Sequence, residues 1–266
     1  MSRKKETRLD RIMGLLETHG FLRLKDAADA LDVSEMTVRR DIATCDGRFI
    51  FLGGYITPAR KTPGGMGYIL DRERAAHSDL KQSAGQAAVD LVRPGETVFL
   101  DCGTTIPYLA SLLPTNNDIT VICYSMNVAE IVCKKPGTRV IMLGGLYEVS
   151  SASFSGPAAL ETLRGMAINT AFISAGGVHT QRGISCSNFH EVDIKQLAIS
   201  KALTKALVVD STKFDSVKPV LFEQRENFDF VCCDTGVAKI HRQQIERAGV
   251  KLRTAETELP DQFDSR

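Results

Sequence analysis

Residues 22–42 read Leu22-Arg-Leu-Lys-Asp-Ala-Ala-Asp-Ala-Leu-Asp-Val-Ser-Glu-Met-Thr-Val-Arg-Arg-Asp-Ile42, and their spacing predicts a helix, a tight turn and a second helix. Leu24, Ala27, Ala28 and Leu31 fall at i, i+3, i+4 and i+7, one apolar stripe. Asp32 sits in the turn, where a short polar side chain tolerates the left-handed conformation. Ser34 is the expected N-cap, and Val33 and Val38 occupy the N′ and N4 positions of a hydrophobic staple. At about 100° per residue, Val38, Ile42 and Cys45 face inward. Met36, Arg40, Ala43 and Thr44 then face outward, with Thr37 and Arg39 on the flanks. A short, pinned helix that carries Thr and Arg outward has the shape and chemistry to enter a DNA major groove. The expected contact residues are Ser34, Met36, Thr37, Arg39, Arg40 and Thr44.

The flanking sequence extends this motif. Leu9, Ile12, Met13 and Leu16 repeat the same apolar spacing, with Gly20 as a C-cap. Arg48 to Thr57 reads as two short strands around Gly53-Gly54. Three helices and a hairpin make a winged helix-turn-helix over residues 1–57. Residues 58–67 hold two prolines and three glycines without an apolar period, so they read as a linker. From residue 68 to 254 the texture is that of an α/β domain, and 255–266 reads as a disordered tail. A helical stretch runs to about Val92. Apolar runs follow at 97–100, 119–123, 139–143, 171–175, 206–209 and 229–233, most without polar alternation, as in strands buried on both faces of a parallel sheet.

Composition bounds the rest. A chain of 266 residues with 43% hydrophobic and 24% charged residues can form one sizeable core and a small satellite. The net charge of +1 does not advertise nucleic acid, but the field at the contact surface is what matters there. A modest basic arm of Arg3, Lys4, Lys5, Arg8 and Arg11 precedes the motif. Seven cysteines lack C-x-x-C pairing or zinc spacing, so no metal is expected. No apolar run approaches ~18 residues and Asp10-Arg11 interrupts any signal-peptide core. The expectation is a cytoplasmic protein, bound to the nucleoid when on DNA, with no membrane partner.

The strand ends carry the second group of chemical residues: Asp101-Cys-Gly-Thr-Thr105, Tyr124-Ser-Met-Asn127, Gly144-Gly145, Gly176-Gly177 and Asp210-Ser-Thr-Lys-Phe214. In an open parallel sheet these ends share one edge, where ligands bind. Glycine N–H groups and Thr hydroxyls suit an anion, Lys213 supplies a cation, and Asp101 and Asp210 can accept from hydroxyls. Donors for phosphate beside acceptors for hydroxyls describe a sugar phosphate. The candidate effector residues are Asp101, Gly103, Thr104, Thr105, Ser125, Gly144, Gly145, Gly176, Glu191 and Lys213. Two readings stay open for several of them. Lys213 can instead pair with Asp210 or Asp215, Glu191 can be a helix-surface charge, and His179 and His190 sit in loops beside the crevice.

Together, Ser34-Glu-Met-Thr-Val-Arg-Arg-Asp41, the Gly53-Gly54 hairpin, Asp101-x-Gly-Thr-Thr105, Leu143-Gly-Gly145, Ala171-Phe-Ile-Ser-Ala-Gly176 and Asp210-Ser-x-Lys-Phe214 resemble the DeoR family of bacterial repressors, in order over nearly the whole chain. The resemblance implies a winged-helix DNA-binding domain joined to a sugar-phosphate sensor similar to ribose-5-phosphate isomerase and the CoA transferases. Three departures stand out. The segment Asp46-Gly-Arg-Phe-Ile-Phe-Leu52 replaces a longer stretch ending in His-Gly-Gly-Ala, and Cys123-Tyr124-Ser125 stands where many members have Thr-Asn-Ser. Both match the deoxyribose-operon subgroup, which implies 2-deoxyribose 5-phosphate or a close pentose phosphate as effector. Asn169 occupies a position where the family usually has Asp. The expected partners are operator DNA, a sugar phosphate and further copies of the chain, with no cofactor and no catalytic residue. The alternative is an isomerase-type enzyme carrying a DNA-binding module, with Asp101 and Glu191 as its acid and base.

Overall fold

The computed structural model of the chain describes residues 3–19, 22–43, 49–52, 55–58 and 77–255. Gly20, Thr44, Cys45, the Gly53-Gly54 turn, residues 59–67 of the expected linker, residues 68–76 and the tail from 256 lie outside the described residues. The described residues form two compact units, one drawn from 1–66 and one from 67–266.

In the first unit, α1 (Arg3–His19), α2 (Leu24–Leu31) and α3 (Glu35–Ala43) pack with a small sheet of β1 (Leu22–Arg23), β2 (Phe49–Leu52) and β3 (Tyr55–Pro58), ordered β1-β3-β2. Leu9, Ile12 and Leu16 from α1 meet the full stripe Leu24, Ala27, Ala28 and Leu31 from α2, and Val38 and Ile42 from α3 close the core. Strands β2 and β3 are antiparallel with Phe49 opposite Pro58 and Leu52 opposite Tyr55, which is the expected wing. The two-residue β1, adding Leu22 opposite Ile56, has no signature of its own in the sequence.

The second unit is a seven-stranded parallel sheet with helices on both faces. Its strands are β4 (Thr97–Leu100), β5 (Thr120–Cys123), β6 (Arg139–Met142), β9 (Ile168–Ile173), β12 (Ala202–Val208), β14 (Phe230–Cys233) and β15 (Lys251–Thr254), ordered β15-β14-β12-β9-β4-β5-β6. Alternate strand residues feed opposite faces, which is why these runs are apolar throughout. Phe99, Ile122, Ala171, Ile173 and Leu207 enter one core, beneath α7 (Pro157–Arg164), α8 (Val192–Lys201) and α9 (Lys239–Arg247). Val98, Leu100, Val121, Phe172 and Ala206 enter the other, beneath α4 (Ser78–Val89), α5 (Ile106–Leu112) and α6 (Met126–Val132). Helix α4 crosses α5 so closely that a Cβ on Gly85 would lie 2.8 Å from the Leu109 backbone nitrogen.

Two small antiparallel sheets rim the main one. One is the hairpin of β7 (Leu146–Glu148) and β8 (Ser153–Ser155); the other is β10 (Gly177–His179), β11 (Gly183–Cys186) and β13 (Val220–Glu223), ordered β10-β11-β13. The chain runs β4-β5-β6 in one direction and β9-β12-β14-β15 in the other. The order therefore reverses between β4 and β9, the position where open α/β sheets gather ligands at the carboxyl ends of their strands.

Candidate functional site

Helix α2 ends in a Schellman motif. The Val33 N–H donates to Ala28 O (3.1 Å), the Asp32 N–H donates to Asp29 O (3.3 Å), and Asp32 takes a left-handed φ of 50°. The chain then turns directly into α3, where Ser34 Oγ accepts from the Thr37 N–H at 3.3 Å and lies 2.9 Å from Thr37 Oγ1. Val33 packs against the cluster that Val38 enters. This is the entry geometry the sequence predicts. One fixture was not read from it: Asp41 is buried, and Arg8 of α1 grips its Oδ2 from Nε (2.7 Å) and Nη2 (2.6 Å). An acidic residue beside two arginines looks like part of the polar face; only the tertiary pairing shows that it ties α3 to α1. On the other side of α3, Met36 (67% exposed), Arg39 and Arg40 face solvent. Thr37 is half-buried, its hydroxyl engaged with Ser34.

In the second unit a pocket opens at the switch point. Its lining comes from the loop after β4 (Gly103, Thr104, Thr105), the loop after β9 (Ser174, Ala175, Gly176), the end of β11 and the residues after it (Cys186, Ser187, Asn188), Glu191 just before α8, Lys195 in the first turn of α8, and Lys213 and Lys218 from the segment between β12 and β13. Gly103 holds φ at 98°, a turn that only glycine adopts without strain. Gly176 is crowded by Lys218, whose Cγ would lie 2.8 Å from an added Cβ.

Beneath this lining lies a buried charge network. Lys195, 1% exposed, donates to Asp101 Oδ2, lies 3.5 Å from Glu191 Oε2 and 3.3 Å from Ser174 O, and sits over the Phe222 ring at 5.3 Å. Burial pulls the ammonium toward neutrality, but the Asp101 and Glu191 carboxylates outweigh it and hold the Lys195 pKa well above its ordinary value. Asp101 also accepts from Tyr124 Oη (2.6 Å) and from the backbone N–H and hydroxyl of Ser174 (both 2.7 Å). Burial, reinforced by neighbouring carboxylates, pushes Tyr124 and Cys102 up, so both stay protonated. Glu191 Oε1 accepts from Asn188 Nδ2 at 2.7 Å. Burial likewise pushes the Cys186 thiol up to about 11.

The structure therefore brings together Gly103, Thr104, Thr105, Gly176, Glu191 and Lys213 of the residues expected from the sequence. Asp101 is not on the lining; it is fully buried with four donors on its carboxylate, and it supports Lys195 from below. Ser125, Gly144 and Gly145 also lie outside the lining, because β5 and β6 stand one and two places beyond β4 and the β7–β8 hairpin covers their ends. Gly145 is a glycine for another reason: a Cβ there would meet Ser155 O at 2.2 Å. Asp210 accepts from Thr212, with Lys213 Nζ 3.7 Å from its Oδ2. His179 Nδ1 accepts from the Gln181 and Arg182 N–H groups, and His190 bonds Ser151, so neither lines the pocket. Asn169 accepts from the Thr97 N–H at 2.9 Å and joins β9 to β4. Lys195, Lys218 and Asn188 were not read from the sequence. The i, i+4 spacing of Glu191 and Lys195 was the available sign, but it is also the spacing of an ordinary solvated pair.

A capped recognition helix in one unit and a cationic pocket at a sheet switch point in the other define a DNA-binding transcription regulator with a sensor domain. Residues 8–59 match the model of the DeoR-like helix-turn-helix domain, and residues 76–235 match that of the DeoR C terminal sensor domain. The chain belongs to the DeoR family and is a DeoR-type transcriptional repressor. It is 35% identical over 234 residues to the deoxyribose operon repressor of Escherichia coli strain K12, covering 88% of this chain and 92% of that one. It is 29% identical over 248 residues to the lactose phosphotransferase system repressor of Lactococcus lactis, covering 91% and 96%. Among solved structures, ribose 5-phosphate isomerase A from Neisseria gonorrhoeae matches at 16% identity with a TM-score of 0.39, over 53% of this chain and 55% of that one.

Proposed function

We propose that the protein represses a deoxyribose or deoxynucleoside catabolic operon and leaves its operator when a pentose phosphate, 2-deoxyribose 5-phosphate first, occupies the switch-point pocket. The observation that carries this reading is the pocket's charge and donor set. Three lysines (Lys195, Lys213, Lys218) and the Gly103-Thr104-Thr105 loop face one carboxylate, Glu191. The loop and Lys213 suit the phosphate, while Glu191 and Asn188 suit the hydroxyls. The deoxyribose assignment draws on the relative of that name. The pocket is small, about 50 Å³, and opens to solvent. In the first unit, Arg40 reads a base edge and Arg39 holds phosphate, with Met36, Thr37 and Ser34 alongside. Paired half-sites then require at least a dimer.

The isomerase alternative needs an acid and a base both facing substrate. Asp101, one of its two candidates, is fully buried beneath the lining, its carboxylate filled by protein donors. Mobility shift on promoter DNA with and without 2-deoxyribose 5-phosphate, paired with calorimetry, tests the repressor reading. Release at rising sugar phosphate, with heat of binding, is the expected result; no heat with any pentose phosphate and unchanged shifts would falsify the sensor assignment.

A further inference from the structure

Three lysines line the switch-point pocket, and they are not equivalent. Lys195 is spent on the protein itself, its ammonium held between the Asp101 and Glu191 carboxylates. One cation against two carboxylates leaves that cluster with a surplus negative charge. Lys213 is shared, its Nζ 3.7 Å from Oδ2 of the fully buried Asp210. Lys218 differs from both. Among the described residues its ammonium meets no carboxylate and no hydrogen-bond acceptor; only its backbone N–H is engaged.

A lysine without a partner is commonplace on an exposed surface, where water answers the charge. Lys218 is instead half-buried and fixed in place. Its N–H donates to Ser185 Oγ at 2.9 Å, and that hydroxyl donates to Gly177 O at 3.2 Å, which ties the residue to β10 and β11. Its stem then crosses Gly176, with Cγ 2.8 Å and Cε 3.5 Å from where a Cβ on that glycine would stand. Gly176 has no backbone reason to be glycine, because its φ is not left-handed. Its other close neighbour, Ser185 O at 3.6 Å, is at ordinary contact distance. What excludes a side chain at Gly176 is the lysine stem alone. The glycine is a trough, and a stem laid in a trough loses the rotamer freedom that an exposed lysine keeps.

We propose that Lys218 is the principal cation for the effector's phosphate, and that Gly176 positions it by leaving room for its stem. This rests on the sugar-phosphate reading above and deepens it. A phosphate monoester carries about −1.5 to −2 charge near neutral pH, so it needs a cation that the protein has not already neutralised. Lys195 holds the pocket floor together and has no charge to spare. Lys213 assists from the side, its attraction offset by Asp210. Lys218 brings a compact point charge with three free donors. It is therefore the residue that separates a phosphorylated sugar from the free sugar. Gly176 touches no ligand in this role and acts through Lys218.

Calorimetry with 2-deoxyribose 5-phosphate on the full chain tests the proposal. Lys218→Met keeps the stem and removes the charge, and it should weaken binding about ten- to a hundredfold, as for a lost hydrogen bond to a charged group. Lys218→Arg should recover most of that loss. Gly176→Ala should also weaken binding, because its methyl group displaces the lysine stem, but it should add nothing in the Lys218→Met background. Inorganic phosphate, as a competitor, should lose affinity in Lys218→Met by the same factor as the sugar phosphate. That comparison separates a contact to phosphate from one to a sugar hydroxyl, which would leave inorganic phosphate unaffected. Wild-type binding in Lys218→Met, additive losses in the double variant, or inorganic phosphate that competes equally with both chains would overturn the assignment while the sensor reading stands. No binding of any pentose phosphate to the wild type would overturn the sensor reading and this assignment with it.

Discussion

A lysine that is 1% exposed exists only because its charge is answered on the spot. Lys195 has Asp101 and Glu191 as counter-charges and Ser174 O as a further acceptor. Removing one partner from such a pair strands a buried charge, so Asp101→Asn should lower stability by about 3–5 kcal/mol in urea unfolding. The sign of its pH dependence follows from the raised Lys195 pKa. A group whose folded pKa lies above its unfolded value stabilises fully below the unfolded value, about 10.4 for Lys. That stabilisation fades only as pH climbs through the folded value. The stability gap between wild type and Lys195→Met should therefore stay flat from pH 7 to 9. A gap that closes over that range would show that the ammonium is not held charged. On the other unit, Arg40→Ala should cost roughly 1–3 kcal/mol of operator-specific binding. Arg39→Ala should weaken specific and random DNA alike and flatten the salt dependence. Shifts at several salt concentrations separate the two, and loss of only non-specific affinity in both would reverse the assignment. The arginines are legible in the sequence because they lie on a periodic, capped helix. Lys195 is not, because its partner Asp101 lies 94 residues away.

Among elements, those that could be read from the sequence have a period or a cap within themselves. The α2 stripe, the Asp32 turn and the Ser34 cap are each local, and each stands where the residues predicted it. The buried strands were legible as apolar runs, with ends shifted by a few residues: β9 begins at Ile168 and β12 at Ala202. Strand β15, Lys251–Thr254, mixes charge and apolar residues because it is a sheet edge, and it was missed. So were β7, β8, β10, β11 and β13, three or four residues each and too short to establish alternation. Their existence depends on neighbours, as in the Ser125–Ser153 bridge. Gly85 is the converse case, a helical glycine whose reason is tertiary. Gly85→Val would drive a side chain into the Leu109 backbone, against which α4 rests. Such overpacking costs typically about 1–3 kcal/mol, so thermal unfolding should show a clear loss. A wild-type melting temperature would mean that α4 and α5 can part without penalty.

At the scale of the whole molecule, the function proposed joins a ligand in one unit to DNA in the other, and only a difference in affinity can do that. A sugar phosphate that binds the operator-competent and incompetent conformations equally shifts nothing, however tightly it binds. Couplings of about 1–3 kcal/mol are typical, a 5- to 150-fold change in operator affinity. Linkage makes the effect mutual: saturating operator DNA should weaken 2-deoxyribose 5-phosphate binding by the same factor as the sugar phosphate weakens operator binding. Thr105 and Lys213 line the pocket in the sensor unit and contribute nothing to the core of the helix-turn-helix. Thr105→Ala or Lys213→Ala should therefore leave operator affinity without ligand at the wild-type level. The same variants should raise the sugar-phosphate concentration needed for half-release, in a mobility shift titrated with ligand. Half-release at the wild-type concentration in both would mean that the signal enters somewhere other than the switch-point pocket.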